Sequence, residues 1–242
     1  MTMSVTYKVL SAVLSYPTAE LQGAATELVS TLNAERLLPA KNRAAVSSLI
    51  EDIAAGDLLD VQSRYVDLFD RTRSLSLHLF EHVHGESRDR GQAMVSLLER
   101  YQQAGLDISG RELPDYIPLF LEFLSTQDDA EARANLAESA HILAALGERL
   151  RKRSSEYALV LEALVVLSMI APSKNILDEL RKEKIEDPND LAALDRAWEE
   201  TEVRFGPGDA VTDGCPRVSD ILSRMDIPVD PSTSRPDFEV GT

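Results

Sequence analysis

The chain has 242 residues, of which 44% are hydrophobic, so it is long enough to bury one sizeable core. Acidic residues outnumber basic ones by 41 to 25, and the formal net charge of -16 at pH 7 excludes nucleic acid and anionic membrane surfaces as expected partners while it favours cationic segments. The one cysteine, Cys215, excludes an intramolecular disulfide and a cluster of zinc-bound thiolates.

Apolar residues recur at helical spacing along most of the chain, and no segment keeps a period of two for long. Helix starts are marked by Pro17, Pro39 and Asp57, each of which stands just before a new periodic run. The periodicity predicts helices near 21–32, 46–53, 58–69, 86–104, 115–125, 128–151, 155–171, 174–184 and 189–205. The expected fold is therefore all-α, an irregular helical bundle of about eight to ten helices.

Three segments of the chain predict its cellular location and its domain organisation. Residues 1–17 lack the basic region, long apolar run and cleavage site of an export signal, so the expected location is the cytoplasm. The stretch from Ala158 to Ala171 is too short for a bilayer and contains Glu162, which predicts a buried core helix. The predicted parts are an all-helical domain, 1–205, and a Pro-rich, acidic and partly disordered tail, 206–242.

One motif raises the possibility of metal catalysis. His78, Glu81 and His82 spell H-x-x-E-H, the signature of zinc peptidases in which two histidines one helical turn apart bind the metal beside a general-base glutamate. Gly85 interrupts the stretch almost at once, and the sequence identifies no further ligand on a second element. A zinc-dependent hydrolase that uses these three residues is the alternative function, and a helix end with exposed histidines is the simpler interpretation.

Signatures of other enzyme classes are absent from the sequence. It contains no G-x-S-x-G nucleophile elbow, no glycine-rich phosphate loop and no G-x-G-x-x-G dinucleotide fingerprint. Carboxylate pairs are abundant in any chain this acidic and discriminate nothing. The sequence therefore predicts a protein that is not an enzyme and carries no cofactor of its own.

Two long and uncommon strings carry a family resemblance. LFEHVHGESRDRGQAM from Leu79 to Met94 and RELPDYIPLFLEFL from Arg111 to Leu124 resemble the signature of NarJ-type assembly chaperones of respiratory nitrate reductase. The resemblance extends upstream through YVDLFD, from Tyr65 to Asp70, and recurs weakly in WEETEVRF, from Trp198 to Phe205. Similarity to this group, which includes the TorD and DmsD maturation chaperones, implies an all-helical, non-catalytic protein that binds N-terminal peptides of molybdoenzyme catalytic subunits.

The chain departs from the wider group at one position. Where that group normally has Pro-Asp-His, this sequence has Pro114, Asp115 and Tyr116. A tyrosine keeps an aromatic face and a hydrogen-bonding tip, but it does not titrate near neutral pH as histidine does. We therefore expect the motif to occupy the same place in the site as in the wider group, but without the protonation chemistry of a histidine.

The resemblance implies a specific partner and a site. The partner is the N-terminal segment of the apo catalytic subunit of respiratory nitrate reductase, expected to be a basic amphipathic helix, and its capture would permit molybdenum cofactor insertion before membrane docking. A stable structural subunit of the mature reductase would share the same surface and is a further alternative. The residues expected to line the peptide-binding groove are Tyr65, Phe69, Leu79, Phe80, His82, Asp115, Tyr116 and Phe120. If Asp115 meets the peptide, Asp115→Ala should weaken capture more at low salt than at high salt, whereas a pure helix cap predicts equal losses.

Overall fold

The structure is a computed structural model that describes residues 4–84, 88–108 and 112–182. These residues form α-helices and contain no β-strand, which confirms the predicted all-α fold. They fall within one compact unit, 1–191. The predicted helix at 189–205, the domain boundary at 205 and the predicted tail at 206–242 lie outside the described residues.

Twelve α-helices follow one another within the described ranges, and a 3-10 turn at Arg73–Leu75 separates the fifth from the sixth. They are α1 (Val5–Leu14), α2 (Ala19–Gly23), α3 (Ala25–Glu35), α4 (Ala40–Ala55), α5 (Leu58–Phe69), α6 (Glu81–His84), α7 (Arg88–Gln103), α8 (Ile117–Thr126), α9 (Asp129–Glu138), α10 (Ala140–Lys152), α11 (Ala158–Ser168) and α12 (Lys174–Lys182). None of those in the described ranges is both long enough and apolar enough to cross a membrane.

Short side chains with an acceptor oxygen start several of these helices. Asp57 accepts hydrogen bonds from the first backbone N–H groups of α5, Thr18 caps α2, and Asp128 caps α9. Such caps satisfy N–H groups that have no partner inside the helix. The number of helices exceeds eight to ten because α2 and α6 have only five and four residues, and because the segment predicted as one helix at 128–151 is divided at Ser139 into α9 and α10.

The core is built from pairs of helices that pack closely together. α10 packs along α11, and α1 packs along α8. The two helices are close at Gly147 of α10, where an added Cβ atom would be in ordinary van der Waals contact with Leu161 of α11, 3.5 Å away. Between α1 and α8, the hydroxyl of Ser11 donates a 2.7 Å hydrogen bond to the carbonyl oxygen of Pro118. Val160, Leu161 and Leu164 are fully buried, so α11 is the core helix that its apolar sequence predicts.

A buried arginine links the core to the irregular segment that follows α5. Arg149 of α10 is 4% exposed. Its guanidinium donates a 2.8 Å hydrogen bond to the carbonyl of Ser74 in the 3-10 turn and a 2.6 Å hydrogen bond to the carbonyl of Leu180 in α12. Because each of these oxygens is buried with the charged donor, one side chain holds the turn, α10 and α12 together.

Candidate functional site

The two signature strings, distant in sequence, are paired through their backbones. His78 and Tyr116 form an isolated antiparallel bridge. On either side of it, Leu79 N donates to Asp115 O at 2.9 Å and Ile117 N donates to Leu77 O at 2.8 Å. The segment after the 3-10 turn is therefore fixed against the start of α8, and the bridge is the geometric centre of the candidate site.

The side chain of Asp115, which has no exposed surface, stabilises this bridge. Its Oδ2 atom accepts a 3.2 Å hydrogen bond from Phe80 N and lies 3.7 Å from Nη2 of Arg90 on α7. Arg90 is also 3.9 Å from Glu81, which lies 3.4 Å from Arg73. Opposite charges at these distances hold the start of α6, α7 and the bridge in one arrangement.

Tyr116 joins the bridge to the aromatic core. Its ring lies 5.4 Å from the imidazole of His78, and its hydroxyl lies 3.2 Å from the hydroxyl of Tyr65. Since Tyr65 donates its own proton to Leu14 O at 2.9 Å, Tyr116 must be the donor of the bond between the two hydroxyls. Burial raises the pKa of both tyrosines, so both stay neutral across the physiological range.

Aromatic rings continue from Tyr65 along α5. The ring of Tyr65 lies 4.8 Å from that of Phe69 and 5.6 Å from that of Tyr16, and Phe69 meets the edge of Tyr157 at 5.2 Å. Such offset and edge-to-face pairs pack favourably. Phe120 belongs to a second group, in which its ring lies 6.4 Å from Phe123.

The eight residues predicted to line the groove differ in exposure. Six are buried and two are half-buried. The buried residues are Tyr65, Phe69, Leu79, His82, Asp115 and Phe120, and the half-buried ones are Phe80 and Tyr116. In this conformation, Phe80 and Tyr116 offer side-chain surface to a partner, while the buried residues support them.

A cleft of about 390 Å³ opens beside the bridge. This bridge cleft is lined by Phe69, Asp70, Thr72, Arg73, Ser76, Glu81 and Arg90. Phe69 is the aromatic residue of its lining, and the other lining residues are polar or charged, with charges of both signs. A polar cleft of this size fits a hydrogen-bonding or charged side chain of a peptide better than an apolar one.

The H-x-x-E-H motif does not form a zinc site of the expected kind. His78 lies in the β-bridge, before α6 begins at Glu81, so the two histidines do not occupy one helical face. Nε2 of His82 is 2.8 Å from the carbonyl oxygen of Ser76, and Glu81 is engaged by arginines. Across 4–84, 88–108 and 112–182 no group of three or more metal-ligating side chains could hold a metal ion. The structure therefore gives no support to the hydrolase alternative.

Sequence reasoning missed several residues on which the site depends. Arg90 was within the signature but carried no assigned role, and it pairs with Asp115. Arg149 and Tyr157 lie far from the signature in sequence, and their contacts with the 3-10 turn and with Phe69 are long-range. Arg149 could have been noticed because it lies on an otherwise apolar helical face. Buried arginines are rare and are paired, so such a position predicts a buried hydrogen-bonding partner.

The structure is an all-helical bundle in which the segment Leu77–Leu79 pairs with the Pro-Asp-Tyr sequence that precedes α8. Comparison with known proteins identifies its family. The family model described as nitrate reductase delta subunit matches residues 35–161, and the chain belongs to this family. The chain is 43% identical over 198 residues to the nitrate reductase molybdenum cofactor assembly chaperone NarJ of Escherichia coli (strain K12), covering 81% of this chain and 83% of that protein.

Two further relatives are similar to the chain. It is 46% identical over 149 residues to the probable nitrate reductase molybdenum cofactor assembly chaperone NarW of Escherichia coli (strain K12), covering 61% of this chain and 64% of that protein. A solved structure from Archaeoglobus fulgidus, proposed to be a redox enzyme maturation protein, matches 69% of this chain and 94% of its own with 20% identity and a TM-score of 0.49. The names of the two Escherichia coli relatives are those of assembly chaperones and not of enzymes.

Proposed function

We propose that the chain is a non-catalytic assembly chaperone for a respiratory nitrate reductase. In this proposal it binds the N-terminal segment of the apo catalytic subunit and keeps the subunit open to molybdenum cofactor insertion until it docks at the membrane. The named role of relatives that are 43% and 46% identical supports the maturation task. A cytoplasmic location remains a prediction that accompanies this function.

The observation that carries the proposal is the bridge between the two signature strings. It is held by two backbone hydrogen bonds and by the buried carboxylate of Asp115, and it presents the half-buried side chains of Phe80 and Tyr116. Because this surface is built before the partner arrives, little conformational entropy is lost when an amphipathic helix is bound. Apolar contacts would supply most of the affinity, and the net charge of -16 would raise the association rate of a basic peptide.

Calorimetric titration of the full chain with a synthetic peptide covering the N-terminus of the catalytic subunit tests the proposal. Micromolar or tighter binding, on the order of -8 kcal/mol, is expected, and it should weaken as salt is raised from low to physiological concentration. Phe80→Ala and Tyr116→Ala should each lower the affinity about tenfold or more. Ile176→Ala, which removes a half-exposed apolar side chain on α12, is the matched control and should leave binding unchanged.

Two outcomes would contradict the proposal. Absence of binding to the peptide and to the intact apo subunit would remove the chaperone function altogether. Recovery of the chain as a stoichiometric component of the purified, cofactor-loaded enzyme would instead identify a stable structural subunit, because an assembly chaperone is released once its client is mature.

A further inference from the structure

A second cleft, which the proposed function does not use, also borders α5. This cleft has a volume of about 510 Å³ and lies between α4, α5 and the turn that leads into α11. Its floor includes the buried side chains of Ile53, Val61 and Tyr157. Its rim carries the carboxylates of Asp52 and Glu156, and we refer to it as the Asp52 cleft.

The floor of the Asp52 cleft contains a buried polar atom without a partner. Tyr157 is 6% exposed, and its hydroxyl is buried and makes no hydrogen bond within the described residues. Burial raises the pKa of this hydroxyl to about 12, and the positive charge of Arg64, another residue of the cleft, opposes the shift. The hydroxyl is therefore close enough to Arg64 to respond to its charge. A buried hydroxyl without a partner indicates an incomplete site, because such groups are normally hydrogen-bonded.

The rim of the cleft has an excess of negative charge. Asp52, Asp67 and Glu156 face the cleft together with two arginines, Arg64 and Arg153. A side-chain hydrogen bond with Asp52 is the largest cause of a raised pKa at Glu156, burial and the charge of Asp52 add to it, and the charge of Arg64 opposes it. Two carboxylates in one another's field repel, and a cation placed between them would relieve that repulsion. An anionic ligand would add to it.

Size and polarity define the chemical class of the occupant. An apolar floor under an acidic rim matches a side chain with an aliphatic stem and a cationic end, which arginine and lysine provide. The aliphatic stem would lie against Ile53 and Val61, and the cationic group would lie between Asp52 and Glu156. A small inorganic cation would leave the apolar floor uncovered.

We propose that the Asp52 cleft binds an arginine or lysine side chain of the client's amphipathic N-terminal segment, as a second contact next to the bridge cleft. This inference rests on the proposed function, since the client is the same. Phe69, which lines the bridge cleft, is in ring contact with Tyr157, which lines the Asp52 cleft, so the two clefts are neighbours separated by these rings. The excess of acidic groups at the Asp52 cleft then favours a cationic side chain there, while the bridge cleft carries both signs of charge.

The test uses two probes and two double variants of the full chain. The first probe is N-acetyl-leucyl-argininamide, followed by the NMR shifts of the Tyr157 ring. The second is the synthetic N-terminal peptide of the catalytic subunit, followed by calorimetry. Asp52→Asn with Glu156→Gln removes the rim charges, and Asp178→Asn with Glu179→Gln removes the same charge from the exposed face of α12 as a matched control.

The expected result is a saturable shift of the Tyr157 ring by the dipeptide, lost in the Asp52 and Glu156 variant and kept in the control. The same variant should bind the client peptide about tenfold more weakly, and replacing the basic residues of the peptide should abolish this difference. Equal dipeptide shifts in all three proteins, or no shift in the wild type, would overturn the assignment. If the dipeptide binds in the cleft and the client peptide does not bind at all, the cation site stands and client capture fails. If the client peptide binds all three proteins equally, the chaperone function stands and the Asp52 cleft is not part of it.

Discussion

At the scale of single residues, Asp115 is the part of the site with the clearest physical role. It is fully buried, accepts a hydrogen bond from Phe80 N, and lies 3.7 Å from Arg90. Its contacts fix the geometry of the bridge, so any effect on peptide capture is expected to act through the positions of Phe80 and Tyr116. A buried carboxylate that pairs with an arginine is costly to remove, and here Arg90 would keep only Glu81, 3.9 Å away, as a partner.

Asp115→Ala is therefore expected to lower the free energy of unfolding by about 3 kcal/mol in urea titrations. As a control, Asp107→Ala removes an exposed carboxylate that follows α7, and it should change the free energy of unfolding by less than about 0.5 kcal/mol. A loss of peptide affinity in a variant that retains wild-type stability would show instead that Asp115 meets the ligand directly.

The hydroxyl pair of Tyr65 and Tyr116 gives a second prediction at this scale. Tyr116→Phe removes one hydrogen bond and keeps the ring beside His78, so a loss of about 1 kcal/mol is expected. Tyr65→Phe should cost more, because it also leaves the buried carbonyl of Leu14 without its donor. The double variant, measured by the same urea titration, should cost less than the sum of the two single changes. Strict additivity would mean that the two hydroxyls do not interact in solution.

The candidate residues could be identified from sequence, but their exposure could not. Tyr65, Phe69 and Phe120 stood out as rare aromatics near the signature strings, and the structure places all three in the core. Aromatic side chains serve equally well as core packing and as ligand contacts, and helical spacing alone does not distinguish the two roles. The bridge between His78 and Tyr116 also has no local sequence signal, because its partners are brought together only by tertiary structure.

At the scale of helices, the periodic pattern predicted the fold class and most element positions. α4, α5, α8 and α11 lie where the spacing of apolar residues places them. The division of 128–151 into α9 and α10 was not predicted, because alanine-rich sequence on both sides of Ser139 favours a continuous helix. Tertiary packing has overridden propensity there, since α9 packs against α8 and α11 while α10 packs against α11 and α12.

Arg149 provides the prediction at the level of these elements. Arg149→Met keeps the length and apolar stem of the side chain but leaves the carbonyls of Ser74 and Leu180 without their donor. A loss of about 2 to 3 kcal/mol is expected, together with faster amide hydrogen exchange in α12. Arg151→Met, on the exposed side of the same helix, is the control. Exchange in α12 that is unchanged by Arg149→Met would show that the clamp does not hold this helix.

At the scale of the whole molecule, the net charge of -16 dominates the long-range electrostatics. Like charges repel one another across the folded surface, and salt shortens the range of that repulsion from about 30 Å at 0.01 M to about 8 Å at 0.15 M. Exposed pairs such as Arg181 with Glu148 are also screened, but each contributes little.

Raising the salt concentration over this range is therefore expected to increase the melting temperature by about 2 to 4 °C, which corresponds to about 1 kcal/mol. Thermal scans in sodium chloride and in choline chloride should agree, because screening does not depend on the identity of the cation. A decrease in melting temperature would mean that attractive ion pairs outweigh the net repulsion. The same salt series should weaken binding of a basic peptide, so stability and affinity are expected to respond in opposite directions.

The backbone pairing of Leu79 with Asp115 has a further consequence for how the sequence can change over time. These two hydrogen-bonded residues close a loop of chain that contains α6 and α7. The entropic cost of closing a loop rises only with the logarithm of its length, by about 0.6 kcal/mol for each doubling. Within this loop, changes inside the first signature string would disturb the pairing of Arg90 with Asp115. Insertions and deletions between the two signature strings are expected to cost little, as long as Leu79 and Asp115 can still meet.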